Sequence, residues 1–347
     1  MRVAYVPWEK REWRPVADAL ADAVVKFTTS PYVSKFFGRQ LAALVFGLNR
    51  MEGTLGEQHE EGPTMVLLTG FLRGDTPEPA VTPWNAEGGR DASATSSRRQ
   101  LFQCCAAAKS LLRDSVSSPL SVELIVHTHA LMMAGSVNDD GTPVVVGRMR
   151  CLPSEEAGAG VYTFTPPRAV NGCVGALIED YNERLSKCTL HPVALATYLF
   201  YELITIHPFG NGNGRLCRLF LAWSLLKTGF PFPVSFSTGH RRCRQHYLHA
   251  INTARRIHEG NRGELNVICL LSTERVFGDF MENASLLAQG PAADEAAANQ
   301  RAAYRGARGG GGGGCKPAVG ETAGAELASG GPSVEADATS VASSLLS

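Results

Sequence analysis

The segment from His207 to Arg218 reads HPFGNGNGRLCR. It places one histidine, two asparagines, three glycines and two arginines between two apolar stretches of helical spacing. An imidazole with an ordinary pKa of about 6.5 can accept a proton at neutral pH. Glycine-rich backbone lets a ligand approach closely, and its successive N–H groups can form an anion-binding concavity. Arg215 and Arg218 are three residues apart, so both project from one side of a first helical turn. Their guanidinium groups suit the oxygens of a polyphosphate. The chemistry on offer is therefore proton abstraction beside a bound phosphate compound.

These side chains need two helices to carry them. HPVALATYLFYELITI, from His191 to Ile206, has apolar residues at helical spacing and predicts a mostly buried helix. Pro208 disfavours continuation, because the residue before a proline is pushed out of the α region. Gly210, Gly212 and Gly214 allow the turn. A second helix starts near Gly214 and reads RLCRLFLAWSLLKTG, with Gly229 as its stop. A phosphate at its N-terminus would meet free N–H groups and the positive dipole end.

The segment resembles the signature of the Fic (fido) family, H-x-F-x-D/E-G-N-G-R-x-x-R. It matches at His207, Phe209, Gly212, Asn213, Gly214, Arg215 and Arg218, and departs at Asn211, where the family usually has a carboxylate. Many members of that family also carry an upstream inhibitory helix with the pattern S/T-x-x-x-E-G/N. Here Glu52 and Gly53 match it, while the hydroxyl position is Leu48.

The rest of the chain is read as follows. Residues 1–53 predict N-terminal helices, including the candidate inhibitory helix. Residues 54–97, rich in Gly, Pro, Thr and Glu, predict a flexible loop in which MVLLTGFL is a helical turn or strand. Helical pattern resumes at RRQLFQCCAAAKSLLRDS, and SPLSVELIVHTHALMMAG predicts a helix capped by Ser118 or Ser121. His127 and His129 are two apart and face different directions, which makes them surface or core histidines rather than a metal pair. PVVVGRMR and VYTFT predict a hairpin within residues 144–165. The cluster Arg241, Arg242 and Arg244 is read as a solvated helix start. Residues 98–288 make the core domain, and the Ala/Gly/Ser-rich residues 289–347 predict a disordered tail.

Composition narrows the function. The chain of 347 residues is 44% hydrophobic, enough for a sizeable core, and its formal net charge is zero. No global basic field points to nucleic acid or a membrane surface. Nine cysteines with no CxxC pair read as reduced thiols. With no apolar segment of signal-peptide or membrane-spanning length, the expected location is cytoplasmic or nuclear.

The resemblance implies a mostly α fold: a Fic-type helical core with a β-hairpin flap, an upstream inhibitory helix and a disordered tail. It implies transfer of AMP from ATP to a protein hydroxyl, with His207 as general base. Gly210, Gly212, Asn213, Gly214, Arg215 and Arg218 would hold the phosphates, and Tyr247 would either stack on the base or pack. Mg²⁺ would be held through Asn211, more weakly than by a carboxylate. The flap would bind the target by strand addition, and self-association is left open. Glu52 would pair with Arg218 and be regulatory. Removal of AMP, transfer of another phosphate compound such as phosphocholine, and a nucleotide-binding pseudoenzyme remain alternatives.

Overall fold

A computed structural model describes residues 31–288, apart from 57, 59, 80–89, 139–141, 160–161, 235, 237–242 and 257–261. The helix expected before residue 31, the Arg241–Arg242 part of the basic cluster and the tail 289–347 lie outside the described residues. The chain divides into two units. The first is Met1–Phe277 with Val341–Ser347, and the second is Gly278–Ser340. Within the second, the described residues form only the end of the last helix.

Helices dominate: α1 Pro31–Met51, α2 Glu61–Arg73, α3 Arg90–Lys109, α4 Val122–Met133, α5 Pro167–Lys187, α6 Pro192–Ile206, α7 Asn213–Lys227, α8 Cys243–Arg256 and α9 Gly263–Ala288. Two short antiparallel strands, β1 Gly158–Ala159 and β2 Tyr162–Thr163, pair with Gly158 opposite Thr163 and Ala159 opposite Tyr162.

At the centre lies the pair α6 and α7, which pack along each other. The buried residues of α7 run unbroken from Asn213 to Leu225. A helix apolar on every side is a core helix, and α1, α4 and the π-turn Ser110–Asp114 pack around it. Tyr181 of α5 hydrogen-bonds Ser224 of α7 at 2.8 Å. Trp223, fully buried, donates to the Ser115 carbonyl at 3.2 Å. Ser121 caps α4 by accepting from the Leu124 N–H at 3.1 Å.

The expected loop 54–97 is corrected. Its apolar run is the helix α2, whose Thr64, Leu68, Phe71 and Leu72 are buried and which ends on the left-handed Gly74. Its last part, from Arg90, is the start of α3. Residues 80–89 lie outside the described set. The hairpin is corrected too. Among the described residues its strands are Gly158–Ala159 and Tyr162–Thr163, and PVVVGRMR pairs with no strand apart from the bridge between Val137 and Pro143. That segment is instead fastened to the loop that follows α6, where the Arg150 N–H donates to the Pro208 carbonyl at 2.8 Å.

Candidate active site

Helix α6 ends where sequence reasoning placed its end. His207 adopts a left-handed conformation, φ 54° and ψ 62°, and its N–H still donates to the Leu203 carbonyl at 2.9 Å. A non-glycine residue held there is strained, and surrounding structure must hold it. Here two side chains do so. Arg150 Nε donates to the His207 carbonyl at 2.7 Å, and Asn213 closes the loop by accepting from the Phe209 N–H at 3.0 Å and donating to the Phe209 carbonyl at 2.7 Å. The imidazole of His207 is 1% exposed and stacks on Phe164, ring centroids 3.9 Å apart.

Helix α7 starts one turn of loop later. Gly212 caps it at φ 78°, where a Cβ would lie 2.6 Å from Met133 Sδ, so only glycine fits. The first-turn N–H groups have no intrahelical partner and point, with the positive end of the dipole, out of the helix. Two arginines flank this end. Arg215 donates through Nη1 to Gln100 Oε1 at 3.1 Å and through Nη2 to Met133 Sδ at 3.2 Å. Burial lowers its pKa, only partly offset by Cys104 and Glu52. Its Nε, with Nε and Nη1 of Arg218, is buried without a hydrogen-bond partner among the described residues. Donors left so are costly unless an anion takes them, and they fit a nucleotide's phosphates.

One anion is already at this position. Glu52, just past the end of α1, bonds Arg218 through Oε1, with side-chain exposures of 11% and 1%. A Cβ on Gly214 would come 2.5 Å from the same Oε1, so the carboxylate lies directly against the start of α7. Burial works against the charge of Arg218, but Glu52, helped by Tyr247 and Cys217, makes the net shift upward. Leu48, at the expected hydroxyl position, is a core residue. The turn after α1 is fixed instead by Asn49, which accepts from Thr54 Oγ1 at 2.9 Å and donates to the Val45 carbonyl at 2.9 Å.

Not every predicted residue stands in the same way. Asn213 spends its amide on Phe209, leaving its N–H for a ligand. Gly210 is exposed, with open space where a Cβ would be. Tyr247 is fully buried against Phe200 and Phe236, with Arg218 5.6 Å over its ring, which places it in the packed core behind the arginine. Asn211 Oδ1 accepts from the Gly212 N–H at 2.6 Å. No group of three His, Cys, Asp or Glu among the described residues could hold a metal. Any Mg²⁺ would depend on phosphate and water oxygens, with one amide oxygen from the protein.

His129 carried no signal beyond its place on a buried helix face. Its ring stacks on Phe209 at 3.7 Å. Nδ1 accepts from the Gly147 N–H at 3.0 Å, so Nε2 holds the proton and donates to the Asn211 carbonyl at 3.0 Å. Burial, with a smaller contribution from Arg215, lowers its pKa to about 4 against the pull of the Asn211 carbonyl. The unfolded chain therefore protonates first as pH falls, and stability from this group is lost from about pH 6.5 down to 4. The expected loss is about 1.4 kcal/mol per pH unit between pH 6 and 4.5. Urea titrations across that range should show His129→Gln lacking this slope. Equal slopes in both proteins would refute the buried neutral ring.

A family model described as the Fic/DOC family matches residues 119–225, the stretch from the start of α4 into α7. A fido domain-containing protein of Dictyostelium discoideum is 30% identical over 134 residues, covering 38% of this chain and 91% of that protein. The protein adenylyltransferase fic-1 of Caenorhabditis elegans is 29% identical over 112 residues, 32% of this chain but only 20% of that protein. Among solved structures, a Fic domain-containing signaling protein from Bacteroides thetaiotaomicron aligns with TM-score 0.54 at 17% identity, over 78% of this chain and 94% of that one. No helix among the described residues is long and apolar enough to cross a membrane. With its motif built into the α6–α7 corner and an amoebal fido protein matched over nearly its whole length, the chain belongs to the Fic/DOC family.

Proposed function

We propose that this protein transfers AMP from ATP to a hydroxyl side chain of a protein. The hydroxyl oxygen attacks the α-phosphorus while His207 takes its proton. The bond from the α-phosphorus to the bridging oxygen breaks, and pyrophosphate leaves. The N–H groups of Asn213 and Gly214 would stabilise charge on the α-phosphate, and Arg215 and Arg218 would hold the leaving phosphates. One observation carries the reading: a histidine in a constrained backbone stands one loop away from a helix N-terminus flanked by two buried arginines with unsatisfied donors. The names of the relatives, protein adenylyltransferase, support the same reaction class. Incubation of a Glu52→Gly variant, whose Arg218 is free to meet a phosphate, with ATP labelled on either the α- or the γ-phosphate tests it. Label should enter protein from α only. Entry from γ would indicate a kinase, and entry from neither a nucleotide-binding protein without transfer.

Regulation follows from the same geometry. Glu52 holds Arg218 where a phosphate would lie, so ATP would bind in a pose unfit for attack until the carboxylate moves. Asn211 favours the second reading, nucleotide binding with weak catalysis, since an amide already engaged by Gly212 is a poor magnesium ligand. Asn211→Asp is expected to lower the Mg²⁺ concentration needed for half-maximal transfer by about tenfold, by restoring a hard anionic donor. Superimposed magnesium titrations of the two proteins would remove Asn211 from the metal site.

A further inference from the structure

Arg150 lies outside the motif and is 2% exposed, yet it makes no salt bridge among the described residues. Among the described residues its guanidinium bonds backbone carbonyls. Nε reaches the carbonyl of His207 at 2.7 Å, Nη2 those of Ile206 at 3.2 Å and Thr165 at 2.9 Å, and Nη1 that of Glu155 at 2.9 Å. Its own N–H donates to the Pro208 carbonyl at 2.8 Å.

Three segments meet at this one side chain. Ile206 and His207 are the C-terminal end of α6, where orphan carbonyls and the negative dipole end favour a cation. Glu155 and Thr165 are the two feet of the hairpin. Phe164, next to Thr165, carries the ring that stacks on the His207 imidazole. A planar fork of donors can serve three segments at once, which a lysine ammonium cannot do in the same geometry. The feet of the hairpin are themselves ordered, since Glu155 accepts from the N–H groups of Cys151 at 2.7 Å and Leu152 at 2.9 Å. Burial works against the Arg150 charge, partly offset by Glu155, and the four carbonyls would lose their donor if the guanidinium were removed.

We propose that Arg150 is a positioning residue for transfer: it holds His207 in register with the hairpin, so that a target held by the hairpin presents its hydroxyl to the imidazole. This rests on the AMP-transfer reading. It makes no demand on the nucleotide, because Arg150 touches neither Arg215 nor Arg218.

The test uses the full chain with Glu52→Gly, which frees Arg218, carrying Arg150→Met or Arg150→Lys besides. Hydrogen exchange is followed at the Phe164 amide in the hairpin, the His207 amide and the Leu221 amide in the core. In parallel, kcat for AMP incorporation, KM for ATP and ATP affinity are measured. Arg150→Met should raise exchange at Phe164 and His207 together while Leu221 stays protected. It should lower kcat by at least about tenfold with KM for ATP unchanged, since misplacement of a reacting group is read in kcat. Arg150→Lys, which keeps the charge but not the fork, should fall between. Should the methionine variant lose protection at Leu221, the lysine variant decides. Exchange rising at one of the two segments alone, or kcat unchanged, overturns the proposal. If the Glu52→Gly chain with Arg150 intact transfers no AMP, the functional reading fails by itself, and the exchange result still decides whether Arg150 couples the two segments.

Discussion

His207→Ala is expected to lower AMP incorporation by roughly 10² to 10⁴-fold, the usual cost of losing a general base. ATP affinity should stay near that of the wild type, because the arginines and the α7 N-terminus are untouched. The fold should survive as well. The left-handed conformation at φ 54° is somewhat less favourable for alanine than for histidine, but the hydrogen bonds that fix residue 207 come from its backbone, to Leu203 and to Arg150. The substitution removes the imidazole and its stacking on Phe164. Rates from labelled ATP, with affinity from calorimetry, check the expectation. Labelling at the wild-type rate would remove His207 from the chemistry, and lost ATP binding would move it into nucleotide recognition.

Glu52→Gly is expected to act in the opposite direction and raise self-modification by about tenfold or more, by releasing Arg218 to the γ-phosphate. The gain should vanish in an Arg218→Ala background, because the two residues act through one contact. The structure adds a cost. With Glu52 only 11% exposed, its removal leaves Arg218 buried without its counter-ion, on the order of 3 kcal/mol of stability. Added ATP should restore much of that loss, since a ligand that binds only the folded state stabilises it. Thermal melting with and without ATP separates this from simple damage. An unchanged rate in a folded Glu52→Gly protein would leave Glu52 as a structural partner of Arg218 alone.

The site was legible where its constraints are local. Pro208 marks the end of α6, Gly212 marks a positive φ, and a cluster of arginines after glycines marks an anion site, so the motif could be read residue by residue. Glu52 was legible only through its pattern, and its contact with Arg218 joins residues 166 positions apart. The residues that hold the site were not legible. Arg150 sits in a β-prone run whose partners turned out to be a helix end and two hairpin feet. His129 looked like any histidine on an apolar helix face. Gln100 lies in α3, whose first half, RDASATSS, has no apolar periodicity. The missed helix α2 has Gly62, Pro63 and Gly70 within its 13 residues, which hides its period. Its packing against α1 and α3 overrides those weak propensities.

The most direct measurement is the intact mass of purified Glu52→Gly protein after incubation with ATP and Mg²⁺, beside the Glu52→Gly, His207→Ala double variant. The account predicts a gain of one or more AMP units in the first and none in the second. No gain in the first, with ATP shown to bind, or an equal gain in both, would contradict it.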